Sequence, residues 1–170
     1  MKYQPVKIMF ILILLMVSAG ICFAADPAEG CWISIDEKTG KETAGWEISI
    51  QDGKLYGKIL SLAGFSQTVK ADQCKDSYKG FPVPGKVSEM TIVGTTWIFS
   101  LLPDSQPGQW RGGNIVDPND GNMYGCKITF RPADGNKFKV DTLEMRGTIG
   151  PFGRSQFWRT ATREQASGLR

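Results

Sequence analysis

Trp46 to Leu60 reads WEISIQDGKLYGKIL. Successive side chains of an extended chain point to opposite faces, so Trp46, Ile48 and Ile50 share one side and Glu47, Ser49 and Gln51 the other. Asp52-Gly53 then supplies a two-residue turn in which positive φ costs little. On the return, Lys54 and Lys58 hold Tyr56 on the wet face and leave Leu55, Gly57 and Ile59 inward. The stretch is a β-hairpin with one apolar and one polar face.

The same rhythm recurs along the chain. Tyr124, Cys126, Ile128 and Phe130 alternate with Lys127, Thr129 and Arg131 between turns at Asn119-Asp120-Gly121 and Asp134-Gly135. Leu143, Met145 and Ile149 alternate with Thr142, Glu144, Arg146 and Thr148, whereas Phe138 and Val140 have the opposite parity, which predicts a bulge near Asp141. With 30–35, 97–102, 110–116 and 154–160 added, about eight strands follow one another at hairpin spacing. So many sequential strands must remove their edges, and an all-β, antiparallel up-and-down barrel does so most simply; a two-sheet sandwich is the alternative. One interruption stands out. Residues 63–88, carrying DQCKDSYKGFPVPGK, read as a long polar loop.

The first 24 residues are of another kind. Lys2 and Lys7 precede an uncharged apolar run, Ile8 to Phe23, with Cys22 and Ala24 as the small residues of a cleavage site. This is a secretory signal peptide with a predicted cut after Ala24, and it places the protein in the periplasm or outside the cell. The apolar run is shorter than the roughly 20 residues a bilayer span needs, so no span is expected after processing. The 146 residues left, 25–170, are one domain's worth. They hold 18 basic and 17 acidic side chains, a near balance that excludes nucleic-acid binding by bulk charge. Cys31, Cys74 and Cys126 remain, an odd number from which one bridge and one free thiol are expected in an oxidising compartment. With no CxxC and no histidine in the chain, no metal or other cofactor is called for.

The segments GCW (30–32), DGKLYGKIL (52–60), KGFPVPG (79–85), WRGGNIVDPNDGNMYGCKITF (110–130) and LEMRGTIGPFGRSQFWR (143–159) together resemble the secreted bacterial domain-of-unknown-function family 2147 (DUF2147). The likeness runs from about Gly30 to Arg159, and its last two segments are the most specific. It implies an exported domain with a lipocalin-like barrel and carries no agreed activity. Members of the family carry cysteines near the DGKLYG hairpin and the RG segment where this chain has other residues, so no disulfide pattern is carried over.

Individual residues refine these expectations. Gly30, Trp32 and Arg159 are similar to the Gly-x-Trp and distant Arg of lipocalins, which implies a guanidinium lying over the indole and sealing one end of the barrel. Asp117-Pro118-Asn119-Asp120-Gly121 lacks calcium-loop spacing and reads as a rigid hairpin turn. Arg111, Arg146 and Arg154 could form an anion cluster at a barrel mouth; alternation instead puts Arg146 outward, pairing with Glu144 or its neighbours. For function, the leading expectation is a small apolar ligand held by the inward residues Trp46, Ile48, Ile59, Tyr124, Ile128 and Met145, with the Tyr124 phenol as polar handle. The second is an envelope interaction module, with Phe65, Tyr78 and Phe81 of the long loop contacting a partner protein. The third is a hydrolase or isomerase using Asp117 or Glu144, thinly supported in a chain without histidine.

Overall fold

A computed structural model describes residues 25–170, so the predicted signal peptide lies outside the described residues. Eight strands run in chain order: β1 (Gly30–Ile35), β2 (Glu42–Gln51), β3 (Lys54–Leu62), β4 (Thr96–Pro103), β5 (Gln109–Val116), β6 (Met123–Arg131), β7 (Thr142–Ile149) and β8 (Phe152–Ala161). Each pairs antiparallel with the next, and β8 returns to β1 through Cys31↔Ala161 to Ser34↔Trp158, closing the barrel. The up-and-down barrel therefore replaces the sandwich alternative. Closure satisfies every strand edge within the sheet.

The β2–β3 hairpin follows the alternation. Ile48, Leu55 and Ile59 are buried inward, Tyr56 lies half outside, and Asp52 and Gly53 take positive φ in the turn. Gly57 is inward too, where a Cβ would stand 3.0 Å from both Ile48 and Ile98. Only a glycine fits between those two side chains without displacing one. The bulge expected near Asp141 is absent: β7 begins at Thr142, and Phe138 and Val140 belong to the connection before it. Phe138 packs there on Phe157, ring centroids 5.9 Å apart. Its parity differs because it is not on the strand.

The long connection between β3 and β4 runs over 63–95 and is more than a polar loop. The Ala71 N–H donates to the Met90 carbonyl and the Ile92 N–H to the Val69 carbonyl, folding the segment on itself as a strap. Trp97 and Phe99 face outward from β4, and the strap covers them with Phe81, at 5.8 and 5.5 Å between ring centroids. A short α-helix, α1 (Arg163–Ser167), follows β8. Its N-terminus carries a capping box, Thr162 accepting from the Gln165 N–H while the Gln165 side chain accepts from the Thr162 N–H. It lies against the outside of β1–β3, where Ser61 donates to the Ala166 carbonyl and Ala166 and Ile33 are fully buried.

The barrel has two different ends. At one, the N-terminal segment turns under the strands: the Asp26 carboxylate accepts from the Ala28 and Gly108 N–H groups at 2.9 Å and from the Trp110 indole at 3.2 Å. The Trp32 indole donates to the Ala28 carbonyl, and its ring meets Phe130 edge-on. That end is plugged. The other end carries the strap, the β5–β6 turn and the β7–β8 turn. No described helix is long and apolar enough to cross a membrane.

Candidate functional site: a cavity at the strap end

Below its middle the barrel is filled. Ile48, Leu55, Leu101, Ile128 and Leu143 are all at most 2 % exposed, as in an ordinary core. Above it, two adjoining spaces open toward the strap. The inner, of about 360 Å³, is lined by Trp46, Ile59, Ile115, Met145 and Ile92 with Ser34 and Gln156; the outer, of about 400 Å³, by Tyr124, Gly147, Ile149, Phe152 and Arg154. Ile115, Asp117, Met145 and Gln156 border both, so the two are lobes of one cavity. Three exposed apolar side chains edge its mouth: Phe65, Ile149 and Phe152, at 65, 59 and 75 %.

The floor is a pair of indoles. Trp46 on β2 and Trp158 on β8 stack with centroids 4.7 Å apart and planes 18° from parallel. Each indole N–H is committed: Trp46 donates to the Ser34 hydroxyl, Trp158 to the Gln156 side-chain oxygen, both at 3.3 Å. Ser34 also bonds the Thr43 hydroxyl and both the N–H and the carbonyl of Ala44. The aromatic planes are thereby held in place.

Of the six side chains expected to hold a ligand, Trp46, Ile59 and Met145 line the inner lobe. Ile48 and Ile128 face inward but lie in the filled half. Tyr124 stands half-buried at the rim, and its hydroxyl donates to Asp120 at 2.6 Å, so the handle expected of it is engaged inside the protein. That bond pushes the phenol's pKa up; at Asp120 burial works upward, but the hydrogen bonds from Tyr124 and Asn122 prevail and hold the carboxyl below its ordinary range. Ile115, Ser34 and Gln156 were not foreseen. Gln156 shares the parity of Trp158 on β8, the signal that would have found it.

Other expectations need correction. The Arg159 guanidinium lies on the outer wall, bonded to Glu42, and does not cover Trp32. Parity is the reason: Trp158 points in, so its neighbour points out. Gly30, with φ of 132°, admits the chain to β1 as a hinge that side-chain-bearing residues rarely adopt. Arg111, Arg146 and Arg154 do not cluster; Arg111 pairs with Asp104, Arg154 stands near Glu37, and Arg146 reaches Ser155. Of the three aromatics named for a contact module, only Phe65 is exposed. Phe81 packs on β4, and the Tyr78 hydroxyl donates to the Gly121 carbonyl at 2.7 Å. The three cysteines are free rather than one pair and one thiol. Burial raises the pKa of each thiol, furthest for Cys126 inside the filled half. Among the described residues no metal-ligating cluster occurs.

Of the two carboxylates named for catalysis, Asp117 borders the cavity and Glu144 does not. Asp117 ties the β5–β6 turn, accepting from the N–H and side-chain amide of Asn119. Glu144 lies on the outer wall, and there burial works to raise its pKa while hydrogen bonds from Arg131 and Ser155 prevail and lower it. A lowered carboxyl stabilises the fold fully above the ordinary glutamate value near 4.5 and loses that effect as pH falls through the lowered value. Glu144→Gln is therefore expected to cost about 0.5–1 kcal/mol at neutral pH. In urea unfolding the gap from wild type should close by pH 3; a gap independent of pH would contradict the pairing.

The comparisons with known proteins follow the same lines. The family model described as "Uncharacterized protein conserved in bacteria (DUF2147)" matches residues 30–160. Protein HP1028 from the human pathogen Helicobacter pylori, itself described as belonging to the lipocalin family, is similar in structure with a TM-score of 0.61. It is 18 % identical, over 81 % of this chain and 85 % of that one, a likeness of fold alone. No curated protein matches the sequence.

Proposed function

The chain belongs to the DUF2147 family, and from that premise we propose that it is an exported, lipocalin-like binding protein of the periplasm that holds a small, largely apolar ligand. The observation that carries this reading is the half-open barrel. A core that fills one half and leaves about 360 Å³ in the other, walled by Trp46, Ile59, Ile115 and Met145, forgoes packing that would stabilise it. That volume is at the low end of ligand-site sizes. Export rests on the leader-like first 24 residues, and removal after Ala24 would leave Asp26 next to the new terminus, where it clasps the plugged end.

Native mass spectrometry of the protein recovered from its own periplasm tests ligand and processing together. The expected species begins at Ala25 and carries a small-molecule adduct. Ile115→Trp, which fills the inner lobe, should be folded and adduct-free. A wild-type chain with no adduct, or an adduct unaffected by the filling variant, would overturn the reading.

A further inference from the structure

The cavity also indicates what kind of molecule it takes. Of the stacked indoles, Trp46 borders the inner lobe and Trp158 does not, so the stack presents one aromatic member to the ligand space. Its plane is set before any ligand arrives, by Trp158 beneath it and by the Ser34 hydroxyl on its N–H. A flat conjugated ring gains from such a surface, which a flexible chain of equal carbon count does not match, because offset stacking adds to simple area burial and the chain gives up rotamer freedom on entry.

Lys70, Asp72, Gln73 and Asn119 border the inner lobe from the strap and the β5–β6 turn, and one polar group beside the indoles remains available. The Ser34 and Thr43 hydroxyls satisfy each other and the neighbouring backbone. Gln156 is different: its oxygen accepts from Trp158, while its amide nitrogen has no hydrogen-bond partner among the described residues. Gln156 borders both lobes, so this nitrogen offers a donor beside the indole. Building on the binding reading above, we infer that the ligand is a planar conjugated ring system bearing an oxygen acceptor, of the aryl-ketone class, which stacks on Trp46 and accepts from the Gln156 amide.

Three probes of twelve carbons separate the terms: 2-acetylnaphthalene (ring and acceptor), 2-ethylnaphthalene (ring only) and dodecan-2-one (acceptor only), their Kd values measured by equilibrium dialysis on the mature protein. 2-Acetylnaphthalene is expected to bind about fivefold or more tighter than either of the others. Gln156→Leu also frees the Trp158 N–H, so the readout is the ratio of the two naphthalenes: the preference for 2-acetylnaphthalene over 2-ethylnaphthalene should fall to about one. Trp46→Leu, with its barrel checked by circular dichroism, should weaken both naphthalenes and spare dodecan-2-one. Dodecan-2-one binding as tightly as 2-acetylnaphthalene, or an indifferent Gln156→Leu, would overturn this inference and leave the binding reading standing. Failure of all three probes to bind would remove both.

Discussion

Trp158→Ala is expected to cost about 3–5 kcal/mol, the range for deleting a large buried aromatic. Trp158 is fully buried, stacks on Trp46, and sits between the β7 and β1 partners Leu143 and Ser34 at the seam that closes the barrel. Its loss removes the lower half of the floor and leaves the Gln156 oxygen without its donor. Two readouts follow. The urea midpoint should fall steeply, and the surviving folded protein should take up a larger apolar probe than wild type, because the inner lobe would extend downward into the space vacated. A cost below about 1.5 kcal/mol would mean that the indole pair is not the keystone of this half of the barrel.

Gly45→Ala should cost about 2–4 kcal/mol through a different route. A Cβ on Gly45 would stand 1.7 Å from the Ala166 carbonyl oxygen and 2.8 Å from its Cα, and backbone atoms cannot swing aside as a side-chain tip can. The only relief is to lift α1. That breaks the hydrogen bonds of Ser61 to the Ala166 carbonyl and of the Leu169 N–H to Ser61, and it uncovers Ile33, which sits directly across from Gly45 on β1. Deleting residues 163–170 should cost a similar amount, and the two changes together no more than either alone. Additive losses in chemical denaturation would show that the glycine serves something other than the docked helix.

How much of this was legible in the sequence follows from what period-two patterning encodes. It reports which side of a strand is apolar, so the order of eight strands, the tight turn at Asp52-Gly53 and the inward course of Ile48, Ile59, Ile128 and Met145 could all be read from it. It carries no information on how far the inward side chains fill the space they share. Whether Ile48 lies in solid core and Ile59 beside a cavity depends on volumes contributed by several strands and by the strap, which meet only in the closed barrel. β8 shows a second limit. Arg154, Gln156 and Trp158 share an inward parity, but Phe157 breaks the alternation beside Trp158, so the pattern singles out neither the cavity-lining amide nor the outward side of Arg159. The strap was underestimated for a related reason: Tyr78, Phe81 and Val87 are too sparse for any period, and their partners Trp97 and Phe99 come from a strand that is apolar on both faces.

The clasp at Asp26 also sets an orientation. The chain enters the barrel through the sealed base, diametrically opposite the rim formed by Phe65, Ile149 and Phe152. A purification tag or fusion partner joined directly to Ala25 attaches at this base and leaves the opening on the far side. A label placed on the Gly150-Pro151 tip would instead stopper it, so the amino terminus is the end by which this molecule can be held without interfering with traffic through its mouth.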